Sequence, residues 1–169
     1  METDTRWVEL AARVVRVALA RKNCSYAELS TALEKAGVLE SERGLATRVS
    51  RGRIKAALLF QIIDVIHAKL PLNWETSIVC CLTWEAKVRA VISIELARHP
   101  SVTINELAQR MIRLGANMTE KTLVIHLQSG SISLPELLQC LVALGSSSLE
   151  LYIDYEDLLA VAYDSVTPV

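Results

Sequence analysis

The residues with the chemistry to recognise a partner are concentrated in Ser41–Gly52, S-E-R-G-L-A-T-R-V-S-R-G, and in Arg53-Ile54-Lys55 after it. Leu45 and Val49 stand one helical turn apart and mark a buried face. Arg43, Thr47, Ser50 and Arg51 then point outward, Arg48 flanks the buried stripe, and Arg53 and Lys55 follow in the loop. Arginine offers two donors that fit guanine O6 and N7, and Ser or Thr hydroxyls adapt to a donor or an acceptor. Arg53, Lys55 and the arginines of the segment before it, Arg6, Arg13, Arg16 and Arg21, are placed to meet phosphates, which sets affinity but not sequence preference. The competing reading is an ordinary solvated helix face.

This face needs a scaffold, and the flanking sequence predicts one made of helices. The first helix is expected from Asp4 or Thr5, with Val8, Ala11, Ala12, Val15, Ala18 and Leu19 on one side. Ser25-Tyr26-Ala27-Glu28 reads as a capping box opening a second helix that stops at Gly37. Ser41 caps the third helix and Gly52 ends it. The fourth, about Lys55–His67, is the most apolar, with Leu58, Leu59, Ile62, Ile63, Val65 and Ile66.

A shift of 78 residues superposes this pattern on a second copy. Gly37 matches Gly115, Ser41-Glu42 matches Thr119-Glu120, Leu45 matches Leu123, Val49 matches Leu127, Gly52 matches Gly130 and Gln61 matches Gln139. A second capping box, Thr103-Ile104-Asn105-Glu106, falls in register with the first, and Trp7 matches Trp84 at a shift of 77. The expected fold class is therefore all-α, a tandem duplication of a four-helix, helix-turn-helix-like unit, with room for a few short β-strands. The first repeat covers residues 1–73. Residues 74–83 form a linker, and residues 84–169 hold the second, diverged repeat with a C-terminal strand and helix. The strand expectation rests on alternation in Leu70–Trp74, on Ile78–Leu82 and on Leu149–Ile153. Tyr155–Tyr163 reads as a last helix, and Pro168 lies in the end beyond it.

The capping box, the glycine-bearing turn and the short third helix ending in Arg-Gly resemble the phage-repressor (lambda-repressor-like) type of helix-turn-helix domain. More narrowly, Trp7, Ser25-Tyr26-x-x-Leu29, Gly37, Leu45, Val49-Ser50-Arg51-Gly52 and the Leu58–Ile66 helix are similar to an uncharacterised bacterial domain family. The resemblance covers about residues 6–72 and extends more weakly over 84–151. It implies a fold and double-stranded DNA as a partner, but no established functional residues.

The second copy departs from the first on its outward face. Lys121, Ile125, Gln128 and Ser129 replace Arg43, Thr47, Ser50 and Arg51. Ile125 in mid-face suits a protein contact or a homodimer and is costly against phosphates; the alternative is that it tucks under the linker or the last helix. One reading head, with a second copy diverted to packing, dimerisation or partner binding, is the expected division of labour. If only one copy reads, the chain is expected to dimerise to read a two-fold site.

Composition narrows the classes further. Hydrophobic residues make up 51% and aromatics 5% of 169 residues, so Leu, Val, Ile and Ala must fill the core. Residues 1–74 carry twelve basic against eight acidic side chains, and residues 75–169 six against eleven, so a net charge of −1 conceals halves of opposite sign. Neither a membrane span nor a signal peptide is expected. Adjacent Cys80 and Cys81 read as small buried hydrophobes in a reducing cytoplasm, and no Cys or His spacing suggests a metal. No cofactor and no catalytic constellation is expected. The leading expectation is a cytoplasmic bacterial or mobile-element DNA-binding regulator. The runner-up is a protein-interaction module, antitoxin-like or inhibitory, that keeps the scaffold without reading DNA.

Overall fold

A computed structural model describes residues 2–166. They form ten helices: α1 Glu2–Arg21, α2 Tyr26–Lys35, α3 Glu42–Ser50, α4 Ala56–Val65, α5 Leu72–Ile78, α6 Trp84–Ala97, α7 Ile104–Arg113, α8 Glu120–Ser129, α9 Leu134–Ala143 and α10 Tyr155–Val166. Among the described residues the only β-type pairing is an isolated antiparallel bridge between Lys55 and Ser133. Pro168 lies outside the described residues.

Local chemistry opens most of these helices. Ser25 and Glu28 close a full capping box at α2, and Ser133 and Glu136 do the same at α9. Ser41, Thr83, Thr103 and Thr119 each accept from the amide three residues on; the full box expected at Thr103 is not closed, because the Glu106 carboxylate accepts from Arg110 instead of from the cap amide. Such a cap is worth about 1 kcal/mol. α1 begins at Glu2, ahead of the expected Asp4 or Thr5.

The expected strands are absent. Leu72–Ile78 is helical, with Pro71 at its N-cap. Leu149–Ile153 forms turns. Two buried aromatics decide both cases. Trp74 packs on Phe60 with ring centroids 5.9 Å apart, and its indole N–H donates to Glu95 at 2.6 Å. Tyr152 donates its hydroxyl to the Lys69 carbonyl, joining the α4–α5 connection to the second repeat through a side chain and not a strand ladder.

Within each repeat the second helix packs on the third and fourth, and the first on the third: α2 on α3 and α4, α1 on α3, then α7 on α8 and α9, α6 on α8. Further contacts join the two repeats. α1 packs on α9, and α6 packs on α4. α10 lies on α1 and α9, as α5 lies on α6. Each repeat thus gives its first helix to the other's fourth. The pattern is that of an approximate two-fold axis passing by the Lys55–Ser133 bridge. The Ala56 amide donates to the Ile132 carbonyl at 3.0 Å, and the Leu134 amide donates to the Ile54 carbonyl at 2.9 Å; these bonds are each other's equivalents under the 78-residue shift. A single hydrophobic core runs through both repeats. Trp7, fully buried, extends the exchange by donating its indole N–H to the Leu114 carbonyl at 2.9 Å.

Candidate nucleic-acid interface

Ser41 starts α3 by accepting the Gly44 amide at 3.0 Å. Leu45 and Val49 are fully buried, which fixes the helix's rotation. Arg43, Thr47, Ser50 and Arg51 are exposed, as the spacing predicts, and Arg53 and Lys55 are exposed beyond the helix. Positions 43, 47, 50 and 51 stack on one side by helical period.

Their availability differs. The guanidinium groups of Arg43, Arg51 and Arg53 make no hydrogen bond or ion pair among the described residues. Ser50 donates its hydroxyl back to the Thr47 carbonyl at 3.0 Å. Arg48 is half-buried and ion-paired to Glu40 in the α2–α3 connection. Lys55 donates its ammonium to the Ser131 carbonyl at 3.0 Å, across the two-fold axis. Two arginines named above as phosphate contacts are also committed: Arg6 pairs with Asp164 and Arg13 with Asp157, which anchors α10 on α1. These partners lie far along the chain, so no helical wheel reveals them. The α2–α3 connection, residues 36–41, is six residues long, where the helix-turn-helix turn has three or four.

Gly52 ends α3 at φ +57, and Gly130 ends α8 at φ +76. A Cβ on Gly52 would overlap the side chain and carbonyl of Val8, and one on Gly130 would overlap the Glu85 carbonyl. At both sites the first helix of the same repeat crosses the end of the third.

In the second repeat α8 buries Leu123 and Leu127 and exposes Lys121, Ile125, Gln128 and Ser129. Ile125 is 53% exposed, so it tucks under neither α5 nor α10. Glu120 accepts from Gln109 at 3.3 Å and Asn105 at 3.3 Å, fastening α8 to α7. The cationic residues of α3 and its following loop therefore have one cationic equivalent on the α8 side, Lys121.

The cysteines correct the sequence reading. Cys80 is exposed and Cys81 half-buried on the short α5–α6 connection; Cys140 is the buried one. Among the described residues no cluster of His, Cys, Asp and Glu is arranged to hold a metal ion, and no helix is long and apolar enough to cross a membrane. A cleft between α4, α5 and α6 holds half-buried Trp84 with the Lys87 ammonium 3.8 Å from its ring centre. Sequence reasoning passed over Gln139 except as a repeat match, although a glutamine among the apolar positions of α9 was a visible signal.

The chain matches a family described as a domain of unknown function (DUF6471), over residues 7–70 and again over 84–149. No curated protein and no solved structure matches it.

Proposed function

Because the chain belongs to the DUF6471 family through both of its repeats, its activity has to be argued from its own surface, and we propose that it is a DNA-binding regulator. Its first repeat contacts duplex DNA through α3. Its second repeat supplies packing and a surface for a protein partner. The observation that carries this reading is the uncommitted cationic edge of α3. Arg43 and Arg51 share an exposed helix side with Thr47, and Arg53 follows, all three arginines without a protein partner among the described residues. Arginine in that state is suited to guanine edges and phosphates alike. Such a role belongs to the cytoplasm.

The internal two-fold modifies the expected geometry. α8 occupies the place where a symmetric reader would carry its second head, and its face has lost the arginines. Each chain then engages one half-site strongly, and Lys121 adds a single cation. With about three phosphate-facing arginines, the log of affinity should fall with the log of salt at a slope of roughly −2 to −3.

Fluorescence anisotropy on mixed-sequence duplex tests this. We expect binding in low salt with that slope, and at least about tenfold weaker binding when Arg43, Arg51 and Arg53 are all changed to Ala. All three are exposed, so the fold should persist. No binding at low salt, or a triple variant that binds like the parent, would sink the reading.

A protein-interaction module, antitoxin-like or inhibitory, is the second reading. The exposure of Ile125 beside Lys121 and Gln128 favours it, as does the net charge of −1. Under this reading the arginine variants leave activity untouched, and Ile125→Asp abolishes partner capture.

A further inference from the structure

Beside the two-fold axis, a cleft of about 440 Å3 opens between the N-terminal part of α1, the end of α3, the α7–α8 connection and the start of α9. Its size falls within the roughly 300–1,000 Å3 of small-molecule sites. Gln139 lines it and is 2% exposed, yet its side-chain amide makes no hydrogen bond among the described residues. Its polar atoms open to the cleft and are not sealed inside the core, so the amide is available to a ligand there.

The surroundings define that partner's chemistry. Val8, Ile54, Met118 and Pro135 give the cleft apolar walls. Arg53 lines it as an exposed, unpaired cation, whereas Lys55 is engaged by the Ser131 carbonyl. Asp4 and Asn117 add polar groups, and Glu136 lines the cleft while one of its oxygens accepts the Ser133 amide at 2.8 Å. In the other repeat, the equivalents of Asn117, Met118 and Glu136 are Leu39, Glu40 and Leu58, while that of Gln139 is again a glutamine, Gln61, so the amide recurs but its surroundings do not.

We propose that this cleft binds a nucleoside monophosphate. The Gln139 amide presents a donor beside an acceptor, the pairing with which glutamine engages a base edge. The apolar walls enclose the base. Arg53 receives the phosphate through its two-donor fork. Asp4 and Asn117 are left for sugar hydroxyls. The site does not depend on DNA recognition, since its ligand binds whether or not α3 reads a duplex.

The test uses the full chain without DNA, titrated calorimetrically with AMP, GMP, CMP and UMP and with the four matching nucleosides. At least one monophosphate should saturate below about 1 mM and raise Tm. Gln139→Leu keeps the volume and removes the amide, so the fold should persist while binding weakens at least about tenfold. Arg53→Ala should weaken the monophosphate by a similar factor and leave the nucleoside's binding as in the parent. The proposal is overturned if none of the four saturates below about 1 mM, or if Gln139→Leu binds like the parent. It is likewise overturned if that variant unfolds, which would give the amide an internal role, or if Arg53→Ala weakens nucleoside and monophosphate alike.

Discussion

Cys140 and Cys80 carry the same thiol into opposite surroundings. Cys140 is fully buried in α9; burial, and secondarily the nearby Glu95 carboxylate, push its thiol up to about 12. A free thiol titrates near 8.5. The folded value is raised, so the stability it contributes is fully present below about pH 8.5 and is lost as pH rises toward 12. Because the thiolate is the nucleophile, Cys140 should resist iodoacetamide at pH 8 until the chain unfolds, while exposed Cys80 alkylates in the native state. Peptide mass spectrometry after a short pulse reads both; native labelling of Cys140 at the rate of Cys80 would contradict the packing of α9. Residue features closed within a few positions were legible in sequence. The side chains of Ser25, Ser41, Thr103 and Thr119 cap because cap and amide are three residues apart, although at Thr103 the Glu106 half of the expected box is drawn to Arg110. Features closed over long separations were not. The helical period sets Arg48 beside the buried stripe but does not show that Glu40 holds it, and the Ser131 carbonyl that holds Lys55 is supplied by the other repeat.

At the scale of elements, the glycines that end helices are of two kinds. Gly37 follows α2 at φ +85, and a Cβ there would have nothing within 4 Å, so alanine meets only the left-handed backbone penalty, about 1–2 kcal/mol. Gly52 and Gly130 add a collision with the crossing first helix, on Val8 and Glu85. Gly52→Ala and Gly130→Ala should therefore cost roughly 2–5 kcal/mol, the backbone penalty plus overpacking. Urea midpoints of the three variants check the ranking, and equal losses at all three would mean that the helix crossing adds nothing. The four helices of each repeat were legible because caps, apolar period and glycine stops agree. α5 was not. Leu70-Pro71-Leu72-Asn73-Trp74 alternates like a strand, but Leu72 is 75% exposed and Trp74 is fully buried, so the apparent period of two joins positions with unrelated surroundings. The burial of Trp74 depends on Phe60 in α4 and Glu95 in α6.

At the scale of the molecule, the duplication could be read from sequence but the exchange of first helices could not. An apolar stripe on α1 fits the stripe of α4 as well as that of α9, and the two arrangements leave the same pattern of buried positions. The exchange has a consequence for the isolated repeat. Cut from its partner, a fragment of residues 1–80 has α4 without α6 and α1 without α9 and α10. As a folded monomer it would expose the faces that these helices cover, so it must pair with a second fragment around the same axis or lose its fold. Pairing brings Arg53 and Lys55 of both fragments toward that axis, where the full chain has Ser131 and Ser133 instead. Like charges in proximity oppose assembly and are screened by salt. The fragment should therefore be largely unfolded at low ionic strength and shift toward a helical dimer as salt rises. Arg53→Ser with Lys55→Ser should restore pairing without salt. Light scattering coupled to circular dichroism reads mass and helicity together. A helical monomer at any salt would show that α1 can return to its own α4, and that the covalent join between repeats is dispensable for the fold. Dimerisation released by the serine pair would instead assign the divergence at 131 and 133 a physical role: it allows two unequal repeats to share an axis that two equal ones approach only against their own charge.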